Sequence, residues 1–437
     1  MIPLSLRAVE ELCPGTLEAV PGAEQVTGVK IDSRRVQEGD LFVAVAGGQT
    51  FLRDALARGA AATLVPDDAF AALAALGRAV RARATAKVVG ITGSLGKTST
   101  KDILAALCRP HARTVAAEAS FNAELGVPLT LCRLEKDTEV CVLELAMRGF
   151  GQIAELCEIA SPEIGVITSI APVHLEFVGS VEGVARAKAE LLQALPPGAP
   201  VVIPADAPEL EPFLDGRDLE PIRFGERGDV RLQRFQPRDG EALLEASVRG
   251  ERVELEVGFS ALHQAQNVLA ALGAYAAVGL PLVEAGKGAR EITFSRLRGE
   301  ELRLPGGGVL INDCWNANPV SMAAALDHLA ARAGDRRKVA VLGDMAELGP
   351  SAPAYHAEVG RHAAGAGLDA LIAIGPLARG YVEGAGGAVP WTTWVETVEE
   401  GIDALEAVLR PGDVVLVKAS RALGLERVAE SVTLVKA

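Results

Sequence analysis

Short apolar runs, each followed by a stretch with apolar positions every three or four residues, recur along most of the chain. From Lys87 to about Leu297 the runs "KVVGIT", "EVCVLELA", "IGVITSI" and "PVVIP" alternate with helical segments such as "TSTKDILAALC". Strands buried on both faces read as continuous apolar runs, and strand–helix alternation predicts a parallel sheet covered by helices. The stretch "VRLQRFQPRDGEALLEASVRGERVELEVG" breaks this rhythm. It alternates apolar and polar residues around Asp239-Gly240 and Arg249-Gly250, which predicts antiparallel hairpins on the same domain.

After about Arg298 a second series begins, with "VLINDC", "KVAVLGD", "DALIAIG" and "DVVLVK" separated by helical segments such as "SMAAALDHLAARA". That pattern predicts a doubly wound sheet. Before Thr85 the runs are shorter, "GVKIDSR", "DLFVAVAG" and "AATLV", with one alanine-rich helix among them. The expected fold class is therefore α/β in three domains: a small α/β domain over 1–85, a central P-loop-type parallel sheet with antiparallel hairpins over 86–297, and a Rossmann-like domain over 298–437.

Composition narrows the function classes. A chain of 437 residues with 49% hydrophobic and 23% charged residues is an ordinary globular protein. The net charge of -14 argues against a nucleic-acid backbone as the main ligand, because that requires a basic face. The start, "MIPLSLRAVEELC", has no basic segment leading into an apolar core, and no apolar run reaches membrane-spanning length. The cytoplasm is expected, without membrane insertion. Cysteines at 13, 108, 132, 141, 157 and 314 lack C-x-x-C spacing, which favours reduced, buried thiols.

The first candidate chemistry lies in "VVGITGSLGKTSTKDIL". A strand enters a glycine turn and a helix follows, the arrangement that holds nucleotide phosphates, yet Ile91 stands where the usual phosphate loop has its first glycine. Gly93 and Gly96 let backbone N–H groups approach phosphate oxygens, Lys97 adds a point charge, and Thr98 can place its hydroxyl on Mg²⁺. Ligands of open α/β sheets gather beyond the carboxyl ends of the strands. Glu144, ending "EVCVLEL", and His174, after "IGVITSI", should reach the same rim as Lys97 and Thr98. Taken alone, each is more often a rim polar group that simply finds a hydrogen-bond partner.

In "EGVARAKAELLQAL" the positions Val184, Lys188, Leu191 and Leu195 fall on one helical stripe, so Lys188 is either a snorkelling side chain or a desolvated amine able to react. "FSALHQAQNVLAALGAY" predicts a helix from about Ser260 with His263 and Asn267 on one face. In "INDCWNANPVSM", Asp313, Asn316 and Asn318 follow a strand, and Pro319 opens a helix. Asp344 and Glu347 in "VLGDMAELG" are explicable as helix caps.

Together these segments resemble the Mur ligase family over essentially the whole chain. Its ATP loop has the shorter form seen here as "GSLGKTST", while "IDSRRVQEGDLFVAVAG", "HLEFVGSVEGVARAKAELL", "NANPVSM" and "LGDMAELG" resemble its other motifs. The last two are typical of the member that adds a dipeptide. The resemblance implies an ATP-dependent ligase joining D-Ala-D-Ala to UDP-N-acetylmuramoyl-tripeptide through an acyl phosphate. A same-fold ligase adding a single amino acid or glutamate is the alternative.

By position, the resemblance implies an ATP site of Gly93, Ser94, Gly96, Lys97, Thr98, Ser99, Asn267, Arg298 and Asp313, with Lys97 on the β and γ phosphates. Thr98 and Glu144 would hold one Mg²⁺; Glu144, His174 and a carbamylated Lys188 would serve a second. Ser33 and Arg34 would face the UDP end, and Asn122, Asn316 and Asn318 the other substrate groups. The 1–85 domain would take the UDP substrate, the 298–437 domain the incoming dipeptide, and the chain would act as a monomer. One departure is "GGQTFLRDA", which lacks the family's Asp-Gly-His stretch.

Overall fold

A computed structural model describes residues 1–433; the last four residues of the expected third domain lie outside the described residues. The N-terminal part carries a four-stranded sheet in the order Gly15–Ala19, Ala62–Pro66, Asp40–Val43, Gly28–Lys30, flanked by the helix Ala69–Arg81. Asp68 caps that helix through its side chain, and Leu73, Leu76 and Val80 bury its apolar face. These residues share one continuous core with Val88, Leu131, Leu143 and Ile153 of the central part, so no polar layer separates the two.

The central sheet has nine strands. Thr114–Ala116, Val140–Glu144, Lys87–Thr92, Ile164–Ile167, Ala199–Pro204 and Leu219–Phe224 run parallel. Their side chains are apolar on both faces because helices cover both. Val230–Arg238, Glu241–Val248 and Glu251–Val257 then fold back as antiparallel hairpins whose turns fall at Asp239-Gly240 and Arg249-Gly250, as the alternation predicts. The helix expected from Ser260 starts later, spanning Gln264–Val278, with His263 at its N-cap and making no side-chain cap bond. A hydrogen-bonded turn at Ala261–Leu262 precedes it, so the segment from Ser260 to Leu262 stays outside the helix.

The C-terminal sheet has six strands, in the order Glu300–Arg303, Val309–Asp313, Val414–Lys418, Lys338–Gly343, Ala370–Ile374, Trp391–Val395. Only the first is antiparallel to its neighbour. Asn318 caps the helix Pro319–Ala333 in a reciprocal capping box with Ser321. All six cysteines are free and buried. Among the described residues no helix is long and apolar enough to cross a membrane.

Asp344 and Glu347 are not helix caps. Asp344 accepts the backbone N–H groups of Leu377 and Ala378 at 3.1 and 2.7 Å, on the far side of a neighbouring turn. Met345 N–H donates to Nε2 of His356 at 3.0 Å, and Nδ1 of that ring donates to the Ala352 carbonyl at 2.6 Å. The His356 ring is fully buried, and burial pushes its pKa below the ordinary 6.5.

A histidine buried neutral gives its full contribution to stability above the unfolded-state pKa and loses it as pH falls below that value. The C-terminal domain is therefore expected to unfold at lower denaturant as pH drops from about 8 to about 5, and His356→Gln should flatten that dependence while lowering stability at the higher pH. Chemical unfolding followed by Trp fluorescence checks this. An unchanged pH dependence in the variant contradicts it.

Candidate active site

The phosphate loop is set by two glycines with left-handed backbone, Gly93 at φ 148° and Gly96 at φ 75°. Between them Ser94 is buried; its hydroxyl donates to the Ala171 carbonyl at 3.0 Å and accepts from Ala171 N–H at 2.9 Å. Leu95 N–H reaches the Ser169 hydroxyl at 2.9 Å. The loop is thus tied to the end of the neighbouring strand Ile164–Ile167, and the helix Lys97–Cys108 begins at its rim. Lys97 folds back so that Nζ donates to the Gly93 carbonyl at 2.8 Å. Desolvation lowers its pKa, with Glu144 acting in the opposite sense.

Glu144 ends its strand with 1% of its surface exposed. One carboxylate oxygen accepts the Thr98 hydroxyl at 2.8 Å, the other the Asn122 amide at 2.8 Å. Arg298, the first residue of the C-terminal part, reaches Thr98 Oγ1 at 3.0 Å and lies over the Trp315 ring, 5.3 Å from its centroid. Asp313 holds the ammonium of Lys418 at 2.5 Å, and Lys418 also donates to the Asn316 carbonyl at 2.9 Å. Asn267 lies against the loop, its side-chain oxygen closest to where a Cβ on Gly96 would stand.

These groups surround one cavity of about 1060 Å³. Ser94, Gly96, Lys97, Thr98 and Ser99 line it from the loop and the first turn of its helix, Glu144 from a strand end, and Asn122 and His174 from the segments that follow neighbouring strands. Asn267, Arg298, Asp313, Asn316 and Asn318 line it too. Asn318 Nδ2 is buried there with no hydrogen-bond partner among the described residues. Gly93 does not line the cavity; a Cβ there would collide with Thr168 and Ser169. Ser33 and Arg34 do not line the cavity: they sit in the N-terminal turn Ser33–Arg35, Ser33 donating to Asp54 at 2.6 Å and Arg34 forking onto Asp32.

Lys188 closes the helix Val181–Lys188 with 2% exposure, so the side chain does not snorkel. It is not a lining residue. Burial, reinforced by the like charge of Lys97, holds its amine well below the ordinary lysine value. His174 stands at φ 54°, and its ring meets Glu347 rather than Glu144, with Nδ1 2.5 Å from a Glu347 carboxylate oxygen. Desolvation lowers its pKa, partly offset by Glu347.

Sequence reasoning missed Arg148, Trp315, Lys418 and Arg421 and treated Glu347 as a cap, although all line the cavity. A signal was present, because each follows or closes a predicted strand, where the rule for open α/β sheets places ligands.

Among the described residues no three His, Cys, Asp or Glu side chains gather as a metal-binding group. The donor set fits a magnesium ion that arrives with a nucleotide, since Mg²⁺ keeps several waters and takes one or two carboxylates alongside phosphate oxygens. Glu144 is such a carboxylate, held only by neutral donors, with the Thr98 hydroxyl beside it.

Residues 91–275 match the Mur ligase middle domain and residues 298–421 the Mur ligase, glutamate ligase domain. A UDP-N-acetylmuramoyl-tripeptide–D-alanyl-D-alanine ligase of Mycobacterium tuberculosis is 35% identical across 99% of this chain and 98% of its own. The chain belongs to the Mur ligase family. Among solved Mur ligases, MurF from Acinetobacter baumannii superposes with a TM-score of 0.84 at 27% identity, covering 98% of each chain. MurF from Thermotoga maritima, solved in complex with ADP, gives 0.78 at 28% identity over 92% of this chain and 96% of that one. The three-domain α/β architecture is that of the family.

At Gly96 a side chain would both require the left-handed backbone and collide with Asn267. Holding a non-glycine residue in that conformation costs about 1–3 kcal/mol. Gly96→Ala is expected to weaken nucleotide binding by about tenfold or more, equivalent to about 1.4 kcal/mol, with little change in the far-ultraviolet circular dichroism spectrum. Calorimetric titration with ADP is the check, and wild-type affinity in the variant contradicts the loop geometry.

Proposed function

We propose that this Mur ligase joins D-Ala-D-Ala to UDP-N-acetylmuramoyl-tripeptide at the expense of ATP, in cytoplasmic synthesis of the peptidoglycan precursor. The observation that carries this reading is the cavity itself. A phosphate loop, a buried carboxylate and the first residues of the C-terminal domain meet around it in a chain aligned end to end with ligases of that activity. The chain is read as a monomer.

In this reading residues 1–85 receive the UDP end through Ser33 and Arg34, 86–297 receive ATP, and 298–437 receive the dipeptide, with Asn122, Asn316 and Asn318 on the substrates. The loop N–H groups and Lys97 hold the β and γ phosphates, helped by the positive end of the helix Lys97–Cys108. Asn267 takes the adenine, Arg298 the phosphates and Asp313 the ribose. Thr98 and Glu144 would hold one Mg²⁺, and Glu144, His174 and Lys188 would serve a second; bound there, the metal would supply charge neutralisation for phosphoryl transfer.

The peptide carboxylate attacks the γ phosphorus, ADP leaves, and an acyl phosphate forms. The dipeptide amine then attacks the acyl carbon and phosphate departs, leaving the amide and releasing one proton. Lys97 and Arg298 oppose the negative charge that accumulates on the transferring group. Walls from two domains limit the access of water, which would hydrolyse the acyl phosphate.

Lys188 is proposed to react with carbon dioxide, its neutral amine forming an N–C bond and losing one proton to give a carbamate. Burial and the like charge of Lys97 support this, because they keep the amine uncharged and nucleophilic. The product is an oxygen ligand where a lysine has none.

With ATP, Mg²⁺, UDP-N-acetylmuramoyl-tripeptide and D-Ala-D-Ala together, mass spectrometry should show the coupled UDP-pentapeptide. Phosphate release should depend on the dipeptide and not on single amino acids or glutamate. Equal stimulation by a single amino acid favours the same-fold alternative. Lys188→Ala should lose most activity and regain part of it with added short carboxylates; full activity in that variant contradicts the carbamate. Lys97→Ala should lose phosphoryl transfer while retaining UDP-substrate binding, measured by calorimetry; equal loss of both contradicts the division of labour.

A further inference from the structure

We infer that Glu347 is a positioning residue, whose carboxylate holds the His174 ring by Nδ1 and thereby turns Nε2 into the lone-pair nitrogen presented to the nucleotide-bound cation. The inference deepens the ligase reading and rests on it. It adds that the C-terminal domain supplies the group that orients a histidine of the central domain.

The contact is built from both sides. The ring nitrogen lies 2.5 Å from Glu347 Oε2, and a carboxylate at that distance accepts, so the proton sits on Nδ1 and Nε2 is left free. Arg148 approaches the other Glu347 oxygen at 3.5 Å. Backbone seals the pair: Glu176 N–H faces the Glu347 carbonyl at 3.5 Å. His174 at φ 54° and Glu347 at φ 62° both adopt the left-handed region that side-chain-bearing residues avoid, and such conformations persist where the surroundings impose them.

The loop presenting Glu347 is pinned at each preceding residue. Asp344 is held by two N–H groups, Met345 N–H by the buried His356 ring, and Ala346 N–H by the Ser420 hydroxyl at 2.9 Å. Held this firmly, the carboxylate fixes both tautomer and ring orientation, the function outer-shell carboxylates serve for metal-binding histidines. His174 is then oriented only while the Asp344–Glu347 loop is docked on the turn that starts at His174.

The test measures cation binding rather than turnover. Mn²⁺ is titrated, with free ion read by electron paramagnetic resonance, into protein saturated with a non-hydrolysable ATP analogue. The proteins are the wild type, Glu347→Gln, Glu347→Ala, His174→Ala and the double variant His174→Ala/Glu347→Ala. Glu347→Ala should weaken Mn²⁺ binding by about 10–100-fold. Glu347→Gln, similar in shape but uncharged, should fall between Glu347→Ala and the wild type and carries the test should the alanine variant fail to fold.

Adding Glu347→Ala to His174→Ala should cost nothing further, because the carboxylate acts through the ring. Wild-type Mn²⁺ affinity in Glu347→Gln, or a Glu347 effect undiminished without His174, overturns the inference while leaving the ligase reading intact. Absence of nucleotide-dependent Mn²⁺ binding in the wild type overturns both.

Discussion

A carboxylate taken out of water at the end of a sheet strand is the constraint around which the rest of this molecule is arranged. An unpaired buried ion costs several kcal/mol even after relaxation, by general estimates of about that size. Glu144 meets that cost with neutral donors, the Thr98 hydroxyl and the Asn122 amide, and with the nearby positive charges of Lys97 and Arg298. The carboxylate is therefore held at a fixed point beside the phosphate loop. Thr98 at the start of the helix after the loop and Asn122 bond to it directly, and Arg298 reaches Thr98 beside it.

The same constraint explains why two domains are needed. The central sheet supplies the loop, the carboxylate and His174, but Arg298, Trp315, Asp313 and Lys418 come from beyond it. Arg298 reaches back to Thr98 and stacks on Trp315, so the junction between domains is itself a wall of the cavity. The N-terminal sheet contributes differently. It shares an apolar core with the central domain, which fixes its position, and Ser33 and Arg34 of its turn Ser33–Arg35 do not line the cavity.

Much of this was legible in the sequence because strand ends are where open α/β sheets place their ligands. Lys97, Thr98, Glu144 and His174 could be grouped from position alone, Asp313 joined them only through the family resemblance, and continuous apolar runs revealed the parallel strands. The apolar stripe with Val184 and Leu191 left Lys188 either snorkelling or desolvated, and the fold buries it. What could not be read depended on contacts between distant segments. Glu347 has the spacing of a cap, and only the tertiary fold brings it to His174, 173 residues away. The helix at Gln264 starts later than its pattern implies, after turns closed by the Ala261 and Leu262 carbonyls, a boundary that periodicity does not encode.

The central claim is that the cavity brings a peptide carboxylate to the γ phosphate, so that an oxygen of the acid must leave with the phosphate. The most direct measurement follows that atom. With UDP-N-acetylmuramoyl-tripeptide labelled with ¹⁸O in its terminal carboxylate, turnover with ATP and D-Ala-D-Ala should transfer one labelled oxygen to inorganic phosphate. Phosphate formed at the same rate without the label would contradict the account.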